Sequence, residues 1–368
     1  MERIAILGGG PAGLMLARLL QLQGRSVTLF ERDAHAAERP QGGSLDLHAD
    51  TGQRALRCAG LQAAFDAVAR PEDQGHRLFD ADGMLLHDHA GGAGDRPEID
   101  RSALRDLLIA SLQPGTVRWG SPVTACRPGK DGVQVESAGE LTSFDLVVGA
   151  EGAWSPTRRL LTEAVPTYEG VVLVEIGYDA NQCPEVDALT GRGKMFAVGD
   201  NQALITQRNG GRHLRAYAGL RLGEAEARAW TTWEAPQLRH SLRSAFAGWS
   251  AVLQPILESG DILAVRPIYG LPAHFRWESR PGVTLIGDAA HLMSPFAGLG
   301  VNLALADAVD LAEAIASGEG WPAITAFETA MMTRAAQAAR DSAEGLRSIF
   351  SSLGAQPVLD HFRAVAAA

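Results

Sequence analysis

Three glycines near the start of the chain, Gly8, Gly10 and Gly13 in "GGGPAG", have the spacing G-x-G-x-x-G and directly follow the apolar run Ile4 to Leu7. That run reads as a buried parallel strand, Leu14 to Leu20 continues as a helix, and "SVTLFER" supplies a second strand ending at Glu31. Each glycine has a physical task in such a unit. Gly8 permits a tight turn, Gly10 clears the space a pyrophosphate needs, and Gly13 lets helix and strand approach, so that the helix offers its free N–H groups to phosphate. Glu31 is placed to accept ribose hydroxyls. An ordinary tight strand-to-helix turn uses the same residue types, and NAD and FAD share the fingerprint, so these positions alone do not choose the ligand.

A second acid stands late in the chain. "GVTLIGD", residues 282 to 288, reads as a buried strand ending in Asp288, and "GLGVNLALADAVDLAEAI" reads as a helix with Asp307, Asp310 and Glu313 on one solvated face. Capping a helix is the plain use of an acid there. Taken with the N-terminal unit, Asp288 reads as a second contact to a long cofactor, at a ribityl hydroxyl, with Gly298 and Gly300 exposing backbone N–H groups. His291, in "GDAAH", reads as ordering this loop by a hydrogen bond, with general-base work as the sharper alternative. No Ser-His-Asp order, HExxH, Walker loop or His/Cys cluster accompanies these residues, so the difficult chemistry falls to a cofactor.

The remaining chain must position these groups. At 368 residues it exceeds one ordinary domain, and its net charge of −10 argues against nucleic acid or an anionic membrane as a partner. The three cysteines, Cys58, Cys126 and Cys183, are far apart and odd in number, which fits a reducing cytoplasm and no disulfide framework. "MERIAILGGG" lacks the features of a signal peptide, and no apolar stretch is long enough to span a bilayer. From Tyr168 to Arg221, "GVVLVEIGY", "GKMFAVGDNQALITQR" and "HLRAYAGLR" alternate between turn signals, predicting a mainly antiparallel sheet. "LFDADGMLLH" predicts a hairpin added to that sheet, turning at Asp82-Gly83. A helical stretch is expected around Glu224 to Phe246, and one or two helices from Trp321 to Phe350.

Three motifs in order carry a family resemblance: "GGGPAG" with "FER", "DLVVGAEGAWSPTR", and "GDAAHLMSPFAGLGVN". The sequence resembles a class A FAD-dependent monooxygenase of the aromatic-hydroxylase group. "GGSLDLH", "GQRALRCAGL" and "PEIDRSALRDLL" look most like the tetracycline-inactivating members. The resemblance implies an α/β fold with a Rossmann-type, glutathione-reductase-like FAD-binding domain (1–71, 101–165 and 272–320). It further implies an inserted β-sheet substrate domain (72–100 and 166–271) and a C-terminal helical segment (321–368). FAD is then held by Gly8, Gly10, Pro11, Ala12 and Gly13, by Glu31 and Arg32, and by Asp46. Arg105, on the helix opened by "DRSALRDLL", resembles an arginine that contacts the flavin; a surface cation is the alternative. The last motif contributes Asp288, Pro295, Gly298, Gly300, Val301 and Asn302.

One departure is visible. Glu151-Gly152 stands where the family usually has Asp-Gly, which places pyridine-nucleotide affinity in question. The resemblance implies that NAD(P)H, visiting without a domain of its own, reduces FAD, and that O2 then supplies one oxygen atom to an electron-rich substrate. The positive end of the helix after Gly300 suits an anionic reduced flavin, and Pro295, Phe296 and Gly298 are expected to form an apolar wall against water, with Phe296 also against the substrate. In the tetracycline-inactivating members a Gln, an Arg and a His on the sheet hold the drug; Glu175, Lys194 and Arg215 take those places here. A Glu in the pocket would favour cationic or hydroxyl-bearing substrates, whereas solvated strand positions are the plain alternative. An aromatic or polyketide-like small molecule, with tetracycline as one candidate, and a monomeric protein are expected. A flavin halogenase is disfavoured because W-x-W-x-I-P is absent, and a FAD-containing binding protein without turnover is the reading from another class.

Overall fold

The computed structural model describes residues 1–38, 42–92 and 94–367. The chain divides into two compact units. The first comprises Met1–Val68, Arg101–Thr167 and Tyr269–Ser342; the second comprises Ala69–Asp100, Tyr168–Ile268 and Ala343–Ala368.

Short, wholly apolar runs make the first unit's sheet. Ile4–Leu7, Leu146–Gly149 and Val283–Leu285 are buried along their whole length, as strands covered on both faces must be. They lie in the order Val283–Leu285, Leu146–Gly149, Ile4–Leu7, Val27–Phe30, Val117–Arg118. Every pairing is parallel, so the loops that follow these strands leave from one edge. A three-stranded antiparallel meander, Val123–Gly129, Gly132–Ser137 and Glu140–Phe144, buries Val133, Val135 and Phe144 against Ala5, Leu7, Phe30 and Val147. The helices Pro11–Leu22 and Gly300–Ala316 pack on each other, both of them mostly buried.

The second unit holds a seven-stranded sheet. Its order is Asp261–Gly270, Thr167–Asp179, His213–Arg221, Gln202–Arg208, Gly193–Gly199, Gly75–Asp80, Leu85–His89. The expected hairpin closes this sheet, with Gly83 at φ +78° in the turn and the Met84 N–H donating to Asp80 Oδ1 at 2.8 Å. Its pairing with Gly193–Gly199 is parallel, a detail that local alternation does not specify. Val172, Val174, Ile176 and Tyr178 alternate onto one face and pack with Trp230, Leu242 and Phe246 of the helical stretch, which forms as Glu224–Trp230 and Ala235–Ala245. The C-terminal segment forms two helices, Trp321–Ile349 and Gln356–Ala367. Among the described residues, no helix is long and apolar enough to cross a membrane.

At the hairpin edge His76 stacks on His87 and His89, with ring centroids 5.2 and 4.9 Å away, and meets Phe362 at 4.7 Å. Burial, with the neighbouring His89, His87 and Lys194, pushes the His76 pKa down to about 4. Its folded pKa lies below its unfolded value near 6.5. Between those values the unfolded chain binds a proton that the folded chain refuses, so stability falls as pH drops through that window. Replacing His76 by Phe keeps the stack and removes the titration. The loss of thermal midpoint between pH 7 and pH 4.5 is expected to be smaller in His76→Phe than in the parent protein; equal losses would contradict the assignment.

Candidate active site

Parallel strands concentrate ligand-binding loops beyond their carboxyl ends. Here Gly8 to Gly10 follow Ile4–Leu7, Glu31 follows Val27–Phe30, Glu151 follows Leu146–Gly149, and Gly287-Asp288 follow Val283–Leu285. Gly8 has φ +107°, and a Cβ on it would sit 2.4 Å from the Ala150 carbonyl oxygen. A Cβ on Gly13 would sit 2.1 Å from the Gly8 carbonyl oxygen, so helix and turn are in backbone contact. Gly10 is the opposite case. Its Cβ would meet nothing within 4 Å, and the helix it opens has Pro11 in its first turn and no side-chain cap. The turn therefore presents open space beneath uncapped N–H groups, including those of Ala12 and Gly13, which fits a pyrophosphate.

Glu31 braces this turn from below. It is buried, its Oε2 accepts the Gly9 N–H at 2.6 Å and its Oε1 accepts the Asp33 N–H at 3.0 Å. Each oxygen retains a lone pair for a ribose hydroxyl. Arg32 is exposed. Arg105 is buried, not a surface cation. Its Nη2 meets Asp33 at 3.1 Å, Nη1 donates to the Ala36 carbonyl at 2.5 Å, Nε donates to the Gly9 carbonyl at 3.4 Å, and Trp119 lies against the guanidinium.

The middle motif is held internally. Glu151 accepts the Ser155 hydroxyl at 2.7 Å and also the Thr157 hydroxyl and N–H. Burial pushes its carboxyl above the ordinary carboxylate range, and those donors act in the opposite direction. The same burial, with Glu151 adjacent, pushes the Cys126 thiol up to about 12. Arg158, which the sequence did not single out, joins two motifs: it donates to the Ala153 carbonyl at 2.6 Å and to the Ala289 carbonyl at 3.1 Å.

The last motif supplies the acid. Asp288 is exposed and opens the one-turn helix Asp288–His291; among the described residues no hydrogen bond to its carboxylate is formed. Gly298 takes the left-handed conformation at φ +67°, and a Cβ on Gly300 would meet nothing. Pro295 is exposed, while Phe296 and Val301 are half-buried. Asn302 is wholly buried, donating to the Asp46 carbonyl at 2.9 Å and the Gly298 carbonyl at 3.3 Å, while its oxygen accepts the His48 N–H at 2.9 Å. It fastens the Asp46 loop, whose carboxylate pairs with His48 at 3.2 Å. Asp307 does not share a solvated face with Asp310 and Glu313: it is fully buried, because His291 and Arg334 pair with it.

On the second unit's sheet, Glu175, Arg215 and Lys194 lie on the face opposite the apolar core. Glu175 is 1% exposed and pairs with two cations, Arg215 at 2.9 Å and Arg266 at 2.6 Å. Lys194 pairs with Glu98 at 2.8 Å. Strand register sets Arg215 opposite Gln207, Gln207 opposite Lys194, and Lys194 opposite His76. Glu175 is thus neither a solvated strand position nor an open negative charge; Arg266, absent from the sequence reading, helps neutralise it.

Comparison with known proteins gives the family. Residues 2–340 match the family model of the FAD binding domain. The chain is 34% identical over 369 residues to the monooxygenase asqM of Emericella nidulans, which covers 84% of this chain and 83% of that protein. It is 28% identical over 360 residues to the 3-amino-4-hydroxybenzoate 2-monooxygenase PtnB3 of Streptomyces platensis, with 93% and 87% covered. In fold it is similar to the tetracycline destructase Tet(51), with a TM-score of 0.72 at 20% identity over 95% of this chain and 92% of that one. The chain belongs to the family of FAD-dependent monooxygenases.

Gly10→Val fills the open space above the turn without touching the core. It is expected to weaken FAD binding by about tenfold or more, or ~1.4 kcal/mol, with the apoprotein's thermal midpoint little changed. Fluorescence titration of the apoprotein with FAD measures it, and an unchanged dissociation constant would show that the pyrophosphate lies elsewhere.

Proposed function

We propose that the protein is an NAD(P)H- and O2-dependent hydroxylase of an aromatic or polyketide-like small molecule that carries an acidic oxygen. The carrying observation is charge at the sheet face. Glu175 bears one negative charge and faces two guanidinium groups, so the cluster keeps one positive charge in excess. That surplus reverses the cationic preference that Glu175 by itself suggests. A carboxylate, phenolate or enolate on a flat ring system is the matching group, because guanidinium binds planar oxyanions through paired N–H donors. The aminohydroxybenzoate named for one relative has such a group. Tetracyclines, which also carry acidic enols, are a narrower candidate supported by fold likeness alone.

FAD, when bound, supplies the redox chemistry: it takes a hydride from NAD(P)H and activates O2 for transfer of one oxygen atom. The chain's own residues bind, orient and exclude water. The uncapped N–H groups after Gly10 receive the pyrophosphate and Glu31 the ribose hydroxyls. Asp288 holds a ribityl hydroxyl. The N-terminus of Gly300–Ala316 offers partial positive charge to the ring system. Pro295 and Phe296 limit access of water, and Arg215 with Arg266 fixes the substrate's acidic oxygen.

The test is anaerobic reduction of the FAD-loaded protein by NADPH and by NADH, alone and with hydroxybenzoates, their methyl esters, and tetracyclines. Oxygen is then admitted and products are weighed. Substrate-stimulated bleaching and a product one oxygen atom heavier are expected with acids and weaker with esters. A flavin that neither nucleotide reduces, with any of these compounds, would overturn the reading. Arg266→Gln is expected to raise KM for the best acidic substrate by about tenfold while FAD content stays constant; an unchanged KM would remove Arg266 from substrate recognition.

A further inference from the structure

Asp307 lies within the helix Gly300–Ala316 and has no exposure to solvent. A carboxylate in that position costs several kcal/mol unless its oxygens are paired. They are paired in a particular pattern. Oδ2 accepts the Gly287 N–H at 3.0 Å and lies 2.6 Å from His291 Nε2, while Oδ1 accepts Arg334 Nη2 at 2.9 Å. One oxygen therefore grips the first and last residues of a single turn, and the other is anchored to the helix Trp321–Ile349.

Arg158 holds the middle of the gripped turn through the Ala289 carbonyl at 3.1 Å, and Asp307 holds its two ends. Gly287 has φ +60°, where a side chain would be strained, and its carbonyl accepts the N–H groups of Ala290 and His291 at 2.8 and 2.9 Å. A Cβ on Gly287 would lie 3.3 Å from Ala12 on one helix and from Ala304 on the other. Among the described residues, His291 Nδ1 has no partner, so Asp307 is what orients the ring. Asp288 stands between the two gripped positions. Its carboxylate is exposed while the backbone on both sides of it is tied to a buried acid.

We propose that Asp307 is a positioning residue for the cofactor, clamping the turn Gly287–His291 so that Asp288 is aimed at its ligand. The inference rests on the reading of Asp288 as the ribityl contact. The charges facing His291 are Asp288 on its own turn, Asp307 on the helix Gly300–Ala316, and Arg334 on the helix Trp321–Ile349, with Asp310 neutralising Arg334 from the far side at 2.8 Å. Burial opposes the His291 cation, yet Asp307 holds its pKa above the ordinary histidine value. Burial likewise opposes the Asp307 charge, yet His291 and Arg334 hold that carboxyl below the ordinary range. Both shifts favour the charged pair, and the grip weakens as pH rises through the raised His291 value.

A double-mutant cycle decides the matter. FAD dissociation constants are measured by fluorescence titration of the apoprotein for the parent, Asp288→Ala, Asp307→Asn and the double variant, with apoprotein thermal midpoints alongside. Asp307→Asn keeps an acceptor for the Gly287 N–H and removes the charge. It is expected to weaken FAD by about tenfold alone and by less than about twofold in the Asp288→Ala background, since residues acting through one contact are not additive. Additive losses would overturn the clamp while leaving Asp288 a ligand. No effect of Asp288→Ala alone would instead overturn the ribityl reading, and the clamp with it.

Arg54→Met, which breaks the pairs of Arg54 with Asp310 and Glu313 at 3.0 and 3.2 Å, is the control for general loss of ion pairs. It should leave FAD affinity unchanged; a loss equal to that of Asp307→Asn would make Asp307 merely structural. If Asp307→Asn does not fold, His291→Gln takes its place in the cycle. The parent's affinity should also decline as pH rises through the raised His291 value, with a flatter profile in His291→Gln, and identical profiles would count against the clamp.

Discussion

The contact on which the first unit depends is one of backbone on backbone. Gly13 lies so near the Gly8 carbonyl, and Gly8 so near the Ala150 carbonyl, that no side chain fits at either position. Those two approaches seat the helix Pro11–Leu22 on its strand and bring the loops after Ile4–Leu7 and Leu146–Gly149 together. Because every strand of that sheet runs parallel to its neighbour, the loops bearing Glu31 and Asp288 emerge on the same edge. A cofactor as long as FAD needs that arrangement, since its phosphates, ribose and ribityl chain must each meet a different loop.

Around this contact buried and half-buried arginines act as fasteners. Arg105 ties the glycine turn to the Asp33 loop, Arg158 ties the middle motif to Ala289, and Arg334 anchors Asp307. Arg105 and Arg334 each meet a carboxylate, and Arg158 meets two carbonyls, which offsets part of the cost of taking these charges out of water. What the glycine turn leaves open is backbone N–H groups at a helix end, in a chain whose net charge is −10. The sheet of the second unit distributes charge differently: two arginines share one buried glutamate.

The most local signals in the sequence reached the structure intact. The G-x-G-x-x-G turn, the apolar strands around it, and the hairpin at Asp82-Gly83 form where periodicity and turn chemistry place them, because each depends on residues within a few positions of one another. The family motifs, read in order, were enough to name the reaction class, whereas the tie between Asn302 and the Asp46 carbonyl was not legible in them.

Other assignments could not be made locally. Helical periodicity gives Asp307 to the face of Asp310 and Glu313, yet its partners come from Gly287, His291 and Arg334, 20, 16 and 27 residues away. Glu175 reads as an open negative charge until Arg266, 91 residues on, is seen to pair with it. Sequence by itself determined the strands and the glycine turn, since these follow from short-range pattern, and the resemblance carried by its three motifs supplied the flavin-dependent class. Tertiary structure alone decided which charges are paired inside the protein, because a charge is neutralised by whatever the fold brings within a few ångströms, at any distance along the chain.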